Sequence, residues 1–118
     1  MEIIHAKTAY ANTLLAEQHL LDSMITCFNN KVRLASMEGK RVCHVLWKEF
    51  DIDENYATDC EATATLLDVL LGAGYDVEFC YNGRTVFNPC GVVAAWGPYS
   101  EGIIEEFFYN AEDLYRGE

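Results

Sequence analysis

The segment spanning residues 51–79 constrains the fold more than any other part of this sequence. Its apolar residues recur at steps of three and four, which puts them on one face of a helix: Ile52, Tyr56, Cys60, Thr63, Leu67 and Leu70. Gly72 and Gly74 can adopt the positive φ that ends a helix, and residues 76–81 alternate as a strand does. The segment therefore predicts a helix, a glycine stop and a strand.

Two capping patterns compete for the start of this central helix. Asp51 with Glu54 forms a capping box, because the Asp carboxylate can accept hydrogen bonds from the free backbone N–H groups of the first turn. Thr58 with Glu61 forms a second box, one or two turns later. We expect the helix to begin at one of these two positions.

The first third of the chain predicts one long helix, since residues 3–38 contain neither proline nor glycine. A seam of residues recurs at steps of seven: Leu14, Leu21, Phe28 and Ala35. Unbroken, this helix would be about 55 Å long, whereas a compact domain of this length is about 35 Å across. The helix must break, at residues 12–13 or 29–30, or protrude. If it protrudes, residues 1–20 form an arm that needs a partner, most simply a second copy of the chain in a homodimer.

The residues after this helix predict antiparallel strands. Gly39 ends the helix, and residues 41–47 have the branched and aromatic composition of a strand. The Asn-Gly pair at residues 82–83 fits a type I′ hairpin turn, from which residues 84–87 should return antiparallel to the preceding strand. Residues 92–96 form a further strand before a Gly-Pro turn.

Ser100 begins a last predicted helix with a bulky apolar face, made of Ile104, Phe107, Phe108, Ala111 and Tyr115. With this helix the sequence predicts a single α+β domain over residues 1–118. Its parts are a long N-terminal helix, an antiparallel sheet of about four strands, and a central and a C-terminal helix packed on that sheet.

The net charge of −11 limits the classes of partner. Binding to nucleic acid or to an anionic membrane needs clustered Lys and Arg, and only eight are spread over the whole chain. No stretch is long enough to cross a membrane. The charge favours a basic partner, although it would also serve simply to keep a small protein in solution.

The cysteines indicate a reducing compartment. There are five, an odd number, and no two have the Cys-x-x-Cys spacing. We interpret them as buried thiols in the cytosol. The first twenty residues lack the continuous apolar run of a secretory signal, so we expect a cytoplasmic protein.

No group of residues predicts a metal site. Asp51, Asp53 and Asn55 begin like a calcium-binding loop, but Tyr56 and Ala62 occupy the places of its glycine and its bidentate glutamate. A helix cap explains these residues better.

No group predicts catalysis either. Cys43 and His44 are neighbours on a predicted strand, so they point to opposite faces and cannot act together. His5 and His19 lie fourteen residues apart, with no zinc ligand at a suitable spacing. We therefore expect a protein that is not an enzyme and holds neither a metal nor a cofactor.

Three short features carry a resemblance to known proteins. Gly39 with Lys40 follows the long helix, residues 70–77 contain a Leu-x-x-x-Gly-Tyr-x-Val pattern, and Trp96 ends a later strand. In these features the chain resembles small uncharacterised α+β proteins of bacteriophages and other mobile elements. The C-terminal helix departs from their pattern. The resemblance implies an overall layout and supplies no cofactor and no catalytic residue.

Our first functional hypothesis is an acidic intracellular binding protein. It would occlude a basic, nucleic-acid-binding surface of a host protein, as a phage-encoded anti-defence inhibitor would. Its contact surface would be the carboxylates of the last helix and its end: Glu101, Glu105, Glu106, Glu112 and Asp113.

Two alternatives come from other classes of function. A dimeric protein could sequester a small anionic nucleotide signal, with binding residues Lys40, Arg41, Tyr81 and Arg84. A small enzyme is the other alternative, for which the sequence offers no nucleophile, base and orienting group.

Overall fold

The computed structural model describes residues 2–50, 61–82 and 89–116. The helices are α1 (Ala6–Met37), α2 (Glu61–Gly72) and α3 (Ser100–Asn110), and a 3-10 turn spans Trp47–Phe50. The strands are β1 (Val42–Leu46), β2 (Asp76–Tyr81), β3 (Gly91–Ala95) and β4 (Tyr115–Arg116). The predicted α+β fold, with a long N-terminal helix and a four-stranded antiparallel sheet, is confirmed.

The sheet has the order β1-β3-β2-β4, and every pair in it is antiparallel. All five residues of β3 are buried, because β3 lies between β1 and β2 and both faces of the sheet are covered. Val93 lies opposite His44 of β1 and Glu78 of β2. Beyond the register of β1, the Trp47 N–H donates to the Cys90 carbonyl oxygen at 2.8 Å.

The two faces of the sheet carry two separate cores. α1 and α2 cover one face, and the largest fully buried side chains there are Met24, Phe28, Val45, Trp47, Leu66 and Val92. α3 covers the other face, over a smaller core of Cys80, Cys90, Val93, Ala95 and Ile104. The domain is therefore three layers deep, and α3, together with Leu114 after it, covers the second core.

Helix α1 is continuous over 32 residues, so the break predicted as one alternative is absent. The polar side chains at the suspected weak points bond within the helix: the Thr13 hydroxyl donates to the Ala9 carbonyl oxygen, and the Asn30 side chain accepts from Arg33. The seam is buried from Leu21 onward, whereas every residue from 2 to 16 is exposed. The longest dimension of the described protein is 57 Å, against 31 and 21 Å for the others.

Helix α2 ends as predicted, and Thr63 and Leu70 of its predicted face are buried, but the face also includes Leu66, which the prediction left out. The Tyr75 N–H donates to the Leu70 carbonyl oxygen across Gly74, whose φ is +96°. Leu66 is fully buried and Leu67 only partly, because the packing against α1 fixes the rotation of the helix. The two capping boxes and the calcium-like pattern at residues 51–55 lie outside the described residues, as do the first predicted face positions, Ile52, Tyr56 and Cys60.

Helix α3 begins at Ser100 as predicted, but it ends at Asn110 and does not reach Tyr115. Ala111 is extended, with φ −76° and ψ 131°. Two carboxylates follow directly, and negative charge is unfavourable at the negative end of a helix dipole. Tyr115 pairs instead with Tyr81 as part of β4, so the prediction that it belongs to the helical face is wrong.

The predicted hairpin turn at Gly83 and the strand at residues 84–87 lie outside the described residues. β2 pairs directly with β3, and the fourth described strand is the short β4 at the C-terminal end.

Candidate functional site

The outer face of α3 is the surface on which exposed carboxylates and aromatic rings lie together. Ile104 anchors the helix in the second core, and Ile103, Phe107 and Phe108 pack around it. Because these apolar positions face the sheet, Glu105 and Glu106 face solvent. We call the exposed carboxylates of residues 101–113 and the tyrosines at the two ends of α3 the acidic surface.

All five carboxylates predicted as contact residues are exposed: Glu101, Glu105, Glu106, Glu112 and Asp113. The first three lie on α3, and the last two follow it in a bend. The segment from 100 to 114 contains no Lys or Arg. The structure therefore gathers the predicted set into one region.

Arg116 borders this surface without neutralising it. Its Nη2 lies 2.7 Å from the Glu78 Oε2, and its Nη1 lies 3.8 Å from the Glu105 Oε1. The hydrogen bond with Glu78 is the main cause that raises the pKa of Arg116. Glu106 forms no ion pair with any residue that the structure describes. Its charge is therefore available to a partner.

Two tyrosines border the carboxylates. Tyr99 and Tyr109 are 88% and 87% exposed. Tyr99 precedes α3 with φ +64°, a left-handed conformation that is uncommon for a bulky residue. The Ser100 hydroxyl donates a hydrogen bond to the Asp76 carboxylate, which ties the start of the helix to β2. The two rings thus stand in water at opposite ends of an anchored helix, where an amphipathic ring suits an interface.

A cleft of about 400 Å³ opens beside the acidic surface, between β1 and α3. Its apolar walls are Val42, Ile103 and Phe107, and it is also lined by Glu106 and Asn110. The Phe107 ring packs on His44, with ring centroids 5.3 Å apart. Burial is the main cause that lowers the pKa of His44, so this side chain is neutral at pH 7. The cleft can hold a long side chain whose stem is apolar and whose end reaches a carboxylate.

The alternative ligand set does not converge. Lys40 and Arg41 precede β1 at one end of the sheet, and the Lys40 Nζ lies 3.0 Å from Glu38. Tyr81 ends β2 at the other end, because β1 and β2 run in the same direction on either side of β3. Five residues of strand separate the two ends by roughly 17 Å. Arg84 lies outside the described residues.

Of the four cysteines that the structure describes, Cys43, Cys80 and Cys90 are buried and Cys27 is half-buried. Burial raises the pKa of Cys43 to about 11, and Cys43 and His44 belong to opposite faces of the sheet. The Sγ atoms of Cys80 and Cys90 are 3.8 Å apart, and burial strongly raises the pKa of Cys80. Protonated thiols are poor nucleophiles. These thiols therefore act as packing groups.

Among the residues that the structure describes, no three His, Cys, Asp or Glu side chains are grouped to hold a metal ion. His5 and His19 are both exposed on the N-terminal side of the chain. No described helix is both long enough and apolar enough to span a bilayer. Away from Arg116, an ion pair between Lys31 of α1 and Glu49 of the 3-10 turn, at 2.6 Å, also joins two elements.

Sequence reasoning missed the tyrosines and the cleft. Tyr109 lies three residues after Glu106 and four after Glu105, so helical spacing alone could have placed it on the same face. The cleft could not be found this way, because Val42 is separated from Ile103 and Phe107 by more than half of the chain.

No protein-family model, curated protein or solved structure matches this chain significantly.

Proposed function

We propose that this protein binds another protein through the acidic surface and thereby occludes a basic, nucleic-acid-binding surface on that partner. One observation carries the proposal: exposed carboxylates, two exposed tyrosines and an apolar cleft with a carboxylate in its lining lie on one anchored helix and its flanks. Aromatic side chains and cavities supply affinity at protein interfaces, and charges supply steering.

The cleft suits a Lys or Arg side chain of the partner. The methylene stem of such a residue would lie against Val42, Ile103 and Phe107, and its cationic end would reach Glu106. Glu106, which pairs with no described residue, gains an ion pair on binding, in an environment drier than the open surface. Glu106 is thus the central contact in this proposal.

The rest of the chain supports a basic target. The net charge of −11 attracts a positive surface at long range and repels nucleic acid. Carboxylates at intervals along α3 can take the place of phosphates on a nucleic-acid-binding protein. The resemblance to small bacteriophage proteins supports a host defence protein of that kind as the target, within the cytoplasm, where buried thiols stay reduced.

The experiment is capture of partners from bacterial lysate by the wild-type protein and by two variants. In the first variant Glu105 and Glu106 are replaced by Lys; in the matched control Asp68 and Glu38, which are exposed elsewhere, are replaced by Lys. Both variants change the net charge equally. We expect the wild type and the control to retain one basic protein that the first variant loses.

Kinetics with the captured protein then test the mechanism. We expect charge reversal at Glu105 and Glu106 to lower the association rate at low salt, because like charges repel before contact. Added salt should lower the association rate of the wild type, because it screens the attraction. Glu106→Gln should mainly speed dissociation, since it removes a charge inside the cleft. Equal behaviour of the charge-reversed variant and its control would refute the proposal.

A further inference from the structure

The N-terminal end of α1 presents an uncovered apolar stripe. Leu14 lies seven residues before the buried Leu21, and Tyr10 lies four residues before Leu14. Both side chains therefore lie on the helix face that is buried farther along the chain. None of the residues that the structure describes covers this face in the arm, where Tyr10 is 60% exposed and Leu14 is 42% exposed. Ile3 and Ile4, just before the helix, are exposed as well. Such a run of exposed apolar side chains marks an interaction surface.

A cavity of about 220 Å³ lies where the arm meets the body of the domain. It is lined by Leu14, Glu17, Gln18 and Leu21 of α1, together with Ala62 and Thr65 of α2. The stripe therefore leads from the open arm into a cavity at its base.

The charge of the arm favours a second copy of this chain as the occupant. Residues 2–20 contain Glu2, Lys7 and Glu17, so they are far less acidic than the chain as a whole. A basic partner would find little attraction there, and two copies would meet with little repulsion. Lys7 and Glu17 form no ion pair with any residue that the structure describes.

We propose that two copies pair their arms antiparallel, about a two-fold axis at the level of Asn12. Tyr10 then packs on Leu14 of the partner subunit, and by symmetry Leu14 packs on the partner's Tyr10. Lys7 faces the partner's Glu17, which gives two ion pairs per dimer. Ile3 and Ile4 reach the cavity at the base of the partner's arm.

The charges select this direction over the parallel one. In a parallel, in-register pair, Lys7 would face Lys7 and Glu17 would face Glu17, which is repulsive at both positions. The antiparallel pair also puts the two folded bodies at opposite ends of the joined arms. A parallel pair would bring together two bodies whose charge is strongly negative.

The first test is the mass of the full chain in solution, measured by light scattering and sedimentation between about 1 and 100 μM, a range in which moderate dimers form. We expect the wild type to reach twice the chain mass of 13.3 kDa, and Leu14→Asp to stay at 13.3 kDa. The matched control is Leu34→Asp, an exposed leucine of the same helix outside the arm, which should dimerise like the wild type.

The second test determines the direction of the pair. Lys7→Glu or Glu17→Lys alone should weaken dimerisation about tenfold, and the double exchange should restore it, since the exchanged charges again attract. Lys7→Gln separates the two directions, because it removes an attraction from the antiparallel pair, which should weaken, and a Lys7–Lys7 repulsion from a parallel pair, which would tighten.

Near-ultraviolet circular dichroism checks that the body of each variant is folded. If the Leu14→Asp variant is not folded, the Tyr10→Ser variant takes its place in the test. A wild type that is monomeric over the whole range overturns the proposal, as does a Leu14→Asp dimer. A dimer that tightens with Lys7→Gln overturns its antiparallel direction.

Discussion

Replacement of Gly91 by alanine tests the contact between β1 and β3. A Cβ atom at Gly91 would meet the Val45 carbonyl oxygen at a distance no real contact allows, and it would lie 2.8 Å from the Leu46 Cα and 3.1 Å from the Val45 carbonyl carbon. These are backbone atoms of the neighbouring strand, so no side-chain rotation relieves the clash. One strand must move away from the other.

The size of the effect follows from that geometry. Overpacking of a core costs about 1 to 3 kcal/mol, and a clash with paired backbone belongs at the upper end, so we expect a loss of about 3 kcal/mol. For a domain of this length that loss corresponds to a fall in Tm of roughly 12 °C.

The matched control is Gly102→Ala, which makes the same chemical change in α3, where a Cβ meets nothing within 4 Å. Alanine is the better helix former, so this variant should gain about 0.5 to 1 kcal/mol. The stabilities of the two variants are measured by urea denaturation and by thermal melting, with circular dichroism as the signal. A Gly91→Ala protein as stable as the wild type would refute the register of β1 on β3.

Three further predictions concern the stability of the folded protein. Leu66→Ala should cost about 2 to 5 kcal/mol in urea denaturation, and Leu67→Ala clearly less, because only Leu66 is fully buried; equal losses would place the buried face of α2 elsewhere. Trp47→Phe should cost about 1 to 3 kcal/mol, since the indole N–H donates to the Pro89 carbonyl oxygen at 2.8 Å; a neutral result would contradict that bond. Burial lowers the folded-state pKa of His44, so the unfolded chain binds the proton first and stability should fall as the pH drops below about 6.5. Denaturation at pH 7.5 and 5.5 should show this fall in the wild type and a smaller one in His44→Gln; an identical fall in both would refute the assignment.

The parts of the fold that the sequence predicted are governed by neighbouring residues. Gly74 ends α2 because its positive φ permits the bond from Tyr75 to Leu70, and Ser100 begins α3 directly after a Gly-Pro turn. Such signals act over a few residues, and a single sequence contains them in full.

The parts that it did not predict depend on distant residues. The buried face of α2 centres on Leu66 because α1 packs against it, a rotation that spacing alone could not fix. Tyr115 lies in a strand because Tyr81 offers a free edge. The cleft beside α3 exists only when β1 lies next to that helix, so the carboxylates could be predicted from the sequence and the cavity could not.

Displacement of nucleic acid tests the proposed function most directly. The captured partner is bound to a fluorescent oligonucleotide, and anisotropy is followed as this protein is added. We expect the wild type, and the control variant with Asp68 and Glu38 replaced by Lys, to release the oligonucleotide, and the variant with Glu105 and Glu106 replaced by Lys to leave it bound. A partner that holds the oligonucleotide and the wild-type protein at the same time would contradict occlusion.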